Sequence, residues 1–509
     1  MKRIFILVTG ICIFSLSYSQ PFRYSTKIFN ETDTIKGVEY ATAPWLDNPI
    51  SLLSDYNIHD GESKTQNRPL LMDIFMPHGD TLNLRPAIIF VHSGAFLTGS
   101  RLNDDMVALC DSFARRGYVT ATIDYRLGMG AEFSGFTLSV TSVNAIRAMY
   151  RGVQDGRAAI RFLKHNSEVY GIDTTRIYMA GSSAGAIVAL LNVYMNNRDE
   201  IPPETLETPS LGGLDTVGIA GTGSVAGAVV SMWGAVQDTS VIDDDSTPVF
   251  LIHGETDDVV PFREGVPLAN TVPENPFISF TMPPVYGSYC IDTILNNRGF
   301  FHETYFVEGK GHEFYGVKNG EFTPGGPNAY WDTIRWRMSS FLLDRFRPVA
   351  DFMFEKNGQA VTFTSLSSDI THTEWNFGDG NTGNGLQTIH TYSVAGTYKV
   401  KLTVYNRNLA EDTISEKVVV SGFAQISEFP ENNIRIFPNP FNDRIFITGI
   451  TLPFDVSVYD IPGKQKMVYN NVINNSIDTR RLPPGIYLLR VKSRDSEIVR
   501  KIYKVGGFN

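Results

Sequence analysis

Three residues, far apart in the chain, have the types and the order needed to break an acyl bond. Ser183 stands at the centre of Gly181-Ser182-Ser183-Ala184-Gly185, a G-x-S-x-G pattern. Residues 176–180 before it read as a short apolar strand, and residues 186–194 after it read as a helix without a breaker. A strand that turns so abruptly into a helix strains its turning residue, and glycines two before and two after remove the side chains that would collide there. The serine oxygen is then lifted out at the carboxyl end of a sheet, where the next helix aims its first N–H groups. The ordinary alternative is a serine that merely caps a helix. The strand–turn–helix context favours a nucleophile.

A nucleophilic serine needs a base to take its proton, and the base needs an acid to fix its tautomer. The acid candidates are Asp257 and Asp258, which follow an apolar strand over residues 248–253. Asp257, three residues past Gly254, is the choice; Asp258 is expected to face solvent or cap the next turn. The Asp243–Asp245 cluster precedes the strand and so belongs at the wrong end of the sheet. His312 follows both serine and acid and leaves a strand over 303–307 through Glu308-Gly309-Lys310-Gly311. His302 lies before that strand, while His92 and His253 sit at strand ends, where they are expected to order loops.

The elements that must hold these residues alternate. Strands are expected at 70–76, 86–91, 118–123, 176–180, 225–232, 248–253 and 303–307, with helices at 104–116, 153–166, 186–194 and 330–346 between or after them. Strands alternating with helices of this length imply a largely parallel sheet covered on both faces. Ligands bind at the carboxyl ends of such strands, where all three candidate residues fall. Residues 20–70 and 128–152 carry few periodic signals.

The sequence over about 40–346 resembles secreted α/β-hydrolase esterases of the carboxylesterase and hormone-sensitive-lipase-like families. The likeness rests on the elbow, on Asp124-Tyr125-Arg126-Leu127, and on His92-Ser93-Gly94-Ala95-Phe96, which is similar to their His-Gly-Gly-Gly-Phe oxyanion motif. Ser93 and Ala95 depart from the all-glycine form but stay small, as close approach of backbone N–H groups to an oxyanion requires. The resemblance implies an α/β-hydrolase fold and ester hydrolysis through an acyl-enzyme without cofactor or metal. It also implies oxyanion donors at Gly94, Ala95 and Ala184. Polymer-linked esters, on plant polysaccharide or polyester, stand beside small esters as candidate substrates. Phe262, Phe277, Phe280, Pro283, Pro284 and Tyr286, between acid and histidine, form a candidate substrate wall, with Phe262, Phe280 and Tyr286 its main members. A prolyl-oligopeptidase-like peptidase shares the order of the triad, but no propeller-like repeats precede the serine. A catalytically inactive, adhesive hydrolase fold is the remaining alternative; it would ordinarily lack a triad residue.

At 509 residues the chain exceeds a single ordinary core. Lys2 and Arg3 precede a short apolar run ending in Ser17-Tyr18-Ser19, which reads as a secretory signal peptide over residues 1–19. No further apolar run is long enough to span a membrane, so the mature protein is expected to have no transmembrane segment. The hydrolase stretch, 20–347, is long enough to carry its own core and contains every candidate above. Residues 348–421 then switch to a two-residue apolar period around Trp375-Asn376-Phe377-Gly378-Asp379-Gly380 and Gly396-Thr397-Tyr398-Lys399-Val400. They resemble a PKD domain, an immunoglobulin-like sandwich in which Asp379 orders its turn. A polar linker spans 422–432. Residues 433–509, with Phe437-Pro438-Asn439-Pro440 and Leu482-Pro483-Pro484-Gly485, resemble the C-terminal sorting domain of type IX secretion. That resemblance implies handling by the type IX machinery and export across the outer membrane of a Gram-negative bacterium, to the medium or the cell surface. The whole is thus expected to be an α/β-hydrolase fold followed by two small all-β sandwich modules.

Charge agrees with the partition. Net charge is −10, yet residues 433–509 hold 12 Lys/Arg against 6 Asp/Glu, which leaves the rest near −16. An acidic main domain excludes nucleic acid as its ligand. Cys12 leaves with the signal, and Cys110 and Cys290 could pair in an oxidising compartment or stand as separate thiols.

Overall fold

A computed structural model describes residues 23–50, 57–134, 137–221, 223–243, 247–269, 278–421, 434–461, 463–494 and 497–505. The expected signal peptide, the 422–432 linker and Phe277 lie outside the described residues. The frame of the first module is an eight-stranded sheet, numbered in chain order: β1 (Thr32–Leu46), β2 (Thr65–Pro77), β3 (Arg85–Val91), β4 (Val119–Ile123), β5 (Ile172–Ser182), β6 (Val229–Met232), β7 (Val249–Gly254) and β8 (His302–Val307). Their spatial order is β1-β2-β4-β3-β5-β6-β7-β8. β1 pairs antiparallel with β2, and β2 with β4; from β4 to β8 every pairing is parallel.

The near-continuous apolar runs of the central strands follow from burial on both faces. Ile89 and Val91 of β3 point into one core while Ile88 and Phe90 point into the other. Helices α1 (Asp104–Ala114) and α5 (Ala329–Leu343) fill the second core. Helices α2 (Ser142–His165) and α3 (Ala184–Tyr194) fill the first. α2, at 24 residues, starts eleven residues before the expected 153. Its extra turns start at a capping box in which Thr141 and Asn144 satisfy each other's backbone. A further helix, α4 (Ser288–Arg298), precedes β8. Outside the main sheet, Ile58–Asp60, Met129–Ser134, Thr137–Val140 and Ile278–Phe280 join in a four-stranded accessory sheet. Cys110 is buried, Cys290 is half-buried, and both are free thiols.

Residues Phe352–Val420 form two antiparallel sheets of three and four strands around Trp375, Phe363 and Phe377. Asp379 orders its turn by accepting from Asn381 N (3.0 Å) and His390 Nε2 (2.7 Å). Two further antiparallel sheets, of three and four strands, span Arg435–Lys504 over a separate core that includes Ile445, Val456 and Leu489.

The second module is not simply strung after the first. Its 405–411 turn reaches the amino-terminal ends of β3 and β5. Asn408, fully buried, donates to Leu84 O (2.7 Å) and Asp173 Oδ2 (3.0 Å), and its own carbonyl accepts from the Tyr24 hydroxyl (2.6 Å). Asn406 donates to Phe346 O (2.5 Å), and Ala410 belongs to the hydrolase core that holds Phe346 and Tyr24. The sandwich thus adds Ala410 to a core otherwise built from the hydrolase stretch, and its turn is hydrogen-bonded to that stretch.

Candidate active site

The carboxyl ends of β3, β5, β6 and β8 release loops that each hold a non-glycine residue at positive φ: Ala95 (55°) and Phe96 (62°), Ser183 (54°), Trp233 (48°) and Glu313 (47°). Such conformations are costly and mark places where surrounding structure over-determines the backbone. The elbow shows how. A Cβ on Gly181 would stand 2.1 Å from Gly185 O, and one on Gly185 would stand 2.1 Å from Val91 O. Both glycines are therefore required for α3 to start against β3 and β5.

Ser183, His312 and Asp257 meet at this end of the sheet. Ser183 Oγ lies 2.9 Å from His312 Nε2, and His312 Nδ1 lies 2.7 Å from Asp257 Oδ2. The carboxylate can only accept, so Nδ1 carries the proton and Nε2 is left to accept from the serine hydroxyl. Asp257 Oδ1 accepts from Val259 N and Val260 N, both at 2.9 Å. Burial pushes the Asp257 carboxyl up, but the hydrogen bonds and charges of His253 and His312 outweigh it and hold the carboxyl well below the usual range. Asp258 is exposed, and the imidazole Nδ1 is bonded to Asp257. The loops bearing acid and histidine are stapled together: Thr256 N and Oγ1 both donate to Lys310 O at 2.9 Å, and a Cβ on Gly254 would stand 2.3 Å from that carbonyl.

The other histidines order the frame. His253, fully buried, has Nδ1 2.8 Å from Ser288 Oγ and donates from Nε2 to Val260 O (3.0 Å), with Asp257 Oδ2 3.3 Å away. His92 donates from Nδ1 to Ser93 O (2.6 Å) and stacks on Tyr125 (4.3 Å between centroids); burial pushes its imidazole down to about 4. His302 pairs with Asp292 (2.8 Å) at the amino-terminal end of β8, away from the serine's end of the sheet.

In the loop after β3, Leu97 N and Thr98 N both donate to Gly94 O at 2.9 Å, which turns that carbonyl away from the serine. The N–H groups of Gly94, Ala95 and Ala184 have no acceptor among the described residues. Gly94 sits at φ 114°, and a Cβ there would stand 2.1 Å from Thr98 O. Phe262 does not line an open wall. It is 8% exposed and packs edge-on against His253 and Phe306, beneath the acid loop. Phe280, in the accessory sheet, and Tyr286, beside the loop after β6, are half-buried against the first core. Trp233 went unmarked in the sequence reading. Its indole donates to Ser182 Oγ (2.9 Å), and its ring meets His312 edge-on at 6.1 Å. An aromatic just past the end of a buried strand was the available signal.

With this geometry in place, three family models match: BD-FAE over residues 72–211, PKD domain over 346–420, and secretion system C-terminal sorting domain over 435–505. The chain carries an esterase-like α/β-hydrolase domain, a PKD domain and a secretion sorting domain. Among curated proteins, Gut esterase 1 of Caenorhabditis elegans is 33% identical over 101 residues, 20% of this chain and 17% of that protein. Para-nitrobenzyl esterase of Bacillus subtilis is 30% identical over 124 residues, 24% of each chain. Neuroligin-like protein glit-1 of C. elegans is 29% identical over 151 residues, 29% of this chain and 18% of that protein. The chain thus spans less than a quarter of the length of each of these relatives. Among solved structures, apo Thermogutta terrifontis esterase 2 is 19% identical, with a TM-score of 0.35, over 54% of this chain and 90% of that one. Among the described residues no helix is long and apolar enough to cross a membrane.

Proposed function

We propose that the protein is a secreted serine hydrolase that cleaves carboxylic esters through an acyl-enzyme, with Ser183 as nucleophile, His312 as base and Asp257 as acid. The observation that carries this reading is the unbroken hydrogen-bond series Ser183–His312–Asp257 at the elbow of an esterase-like domain. His312 Nε2 takes the hydroxyl proton as Ser183 Oγ attacks the ester carbonyl. The N–H groups of Gly94, Ala95 and Ala184 receive the developing oxyanion. The imidazolium, steadied by Asp257, then hands its proton to the departing alkoxide, and a water repeats the sequence on the acyl-enzyme. The free N–H groups and the retained triad favour this over an inactive adhesive role.

The substrate is a small or polymer-linked ester, on plant polysaccharide or polyester, and no cofactor or metal takes part in the steps above. The sorting domain implies export by type IX secretion machinery, to the medium or the outer surface of a Gram-negative cell. Hydrolysis of p-nitrophenyl esters of graded chain length, beside acetylated and feruloylated xylan, tests the reading. Turnover of at least the short esters is expected; cleavage of peptide amides with no ester turnover would replace it with a peptidase. Fractionation of cells expressing the chain with and without residues 433–509 tests the export half. Periplasmic retention of the shortened chain is expected, and normal release would overturn it.

A further inference from the structure

Met232-Trp233-Gly234 leaves β6 beside the elbow and holds the Ser183–His312 pair from three directions. Met232 O accepts the Ser183 N–H at 2.9 Å. The Trp233 indole N–H donates to the oxygen of Ser182, the residue that delivers the nucleophile, at 2.9 Å. The same ring packs edge-on against His312, with centroids 6.1 Å apart and planes at 62°.

Trp233 itself is fully buried and sits at φ 48°, a costly conformation for a bulky residue. Its surroundings leave it no alternative. Its own N–H donates to Ile252 O, and Tyr315 stacks on its outer face at 4.8 Å and 22°. Tyr315 is in turn pinned by its hydroxyl to Asp105 Oδ2 at 2.6 Å. The next residue must be glycine, because a Cβ on Gly234 would stand 2.4 Å from Ser231 Oγ and 2.7 Å from Ala186 Cβ. A strained residue, held by Ile252 O and Tyr315, touches His312 and the serine's neighbour Ser182 but none of the reacting atoms.

We propose that Trp233 is the positioning residue of the Ser183–His312 pair. It fixes the serine through Ser182 and backs the imidazole so that Nε2 stays within reach of Oγ. The inference rests on the esterase reading above. Proton transfer between two side chains tolerates little misplacement, so slackening this support lowers the chemical step and leaves substrate binding alone.

The full chain and three variants test it: Trp233→Phe, which keeps a ring against His312 but removes the N–H; Ser182→Ala, which removes the acceptor; and the double change. Each single variant is expected to lower kcat for p-nitrophenyl acetate about tenfold with KM unchanged, and inactivation by a fluorophosphonate slows in parallel. The double variant is expected to lose no more than the worse single one, because both break the same contact. Multiplying losses, an unchanged kcat, or a change confined to KM would overturn the proposal. If Trp233→Phe does not fold by circular dichroism, Ser182→Ala decides alone on the same kcat criterion. A wild-type chain that neither hydrolyses nor labels would overturn the esterase reading instead. Labelling retained in Ser183→Ala but lost in Ser182→Ala would move the nucleophile and overturn both.

Discussion

Replacing Asn408 by Ala strikes the seam between sandwich and hydrolase, some distance from the serine. The amide donates to Leu84 O and to the Asp173 carboxylate, and Asn408 is fully buried. Truncation removes both bonds and leaves Leu84 O and the Asp173 carboxylate each with one partner fewer. One lost bond of ordinary strength and one to a charged acceptor sum to about 3 kcal/mol. Spread over residues 23–421, at about 2 cal/mol/K of unfolding entropy per residue, that lowers Tm by roughly 3–4 °C. The loss carries a pH signature. Burial pushes the Asp173 carboxyl up, but its donors, Asn408 first, outweigh that and hold it below its ordinary value. A carboxyl depressed in the folded state contributes stability above its unfolded value of about 4, and that contribution fades as pH falls through the folded one. The Tm deficit of Asn408→Ala should therefore be largest near neutral pH and narrow below about pH 4. Scanning calorimetry of both chains between pH 3 and 8 reads it. Equal Tm values at pH 7, or separate melting of the two modules in the wild type, would refute the view that the seam at Asn408 couples sandwich to hydrolase.

Two further outcomes are expected. Asp257→Asn should cut kcat by about 10⁴ through the wrong imidazole tautomer, while Asp258→Asn stays near wild type in the same ester assay. Burial pushes the Asp105 carboxyl up to about 8, against the hydrogen bond from Tyr315 that lowers it. Folding therefore retains a proton that the unfolded chain releases, and stability falls as pH rises from about 4 toward 8. Asp105→Asn should raise Tm more at pH 8 than at pH 5, and a gain equal at both would count against a buried neutral acid.

Much of the site was legible because its chemistry is local in sequence. Gly181 and Gly185 flank the serine for a reason visible in the string, and the structure gives it as carbonyls 2.1 Å from where their Cβ atoms would be. Asp257 and His312 each follow a buried strand, and β7 and β8 run parallel side by side, so their loops emerge together. Less legible were elements whose partners lie far along the chain. β1 pairs with β2 over a register broken by two irregularities, and its outward residues leave no clean alternation. The accessory sheet joins residues near 59, 131, 138 and 279, and no local period could announce it. Phe262 looked like a wall because aromatic residues cluster around it in sequence; in space it is packed instead by His253, Tyr289 and Phe306. The seam at Asn408 was invisible for a further reason: two polar residues in a sandwich turn ordinarily face water, and here their amide N–H groups donate instead to Phe346 O, Leu84 O and Asp173.

The central claim is that Ser183, activated by His312, is the nucleophile. Incubation of the full chain with a fluorescent fluorophosphonate, followed by digestion and mass spectrometry, tests it most directly. One adduct is expected, on Ser183, lost in Ser183→Ala with the fold intact and slowed severely in His312→Gln. An adduct that persists in Ser183→Ala, or that forms as fast in His312→Gln as in the wild type, would contradict the account.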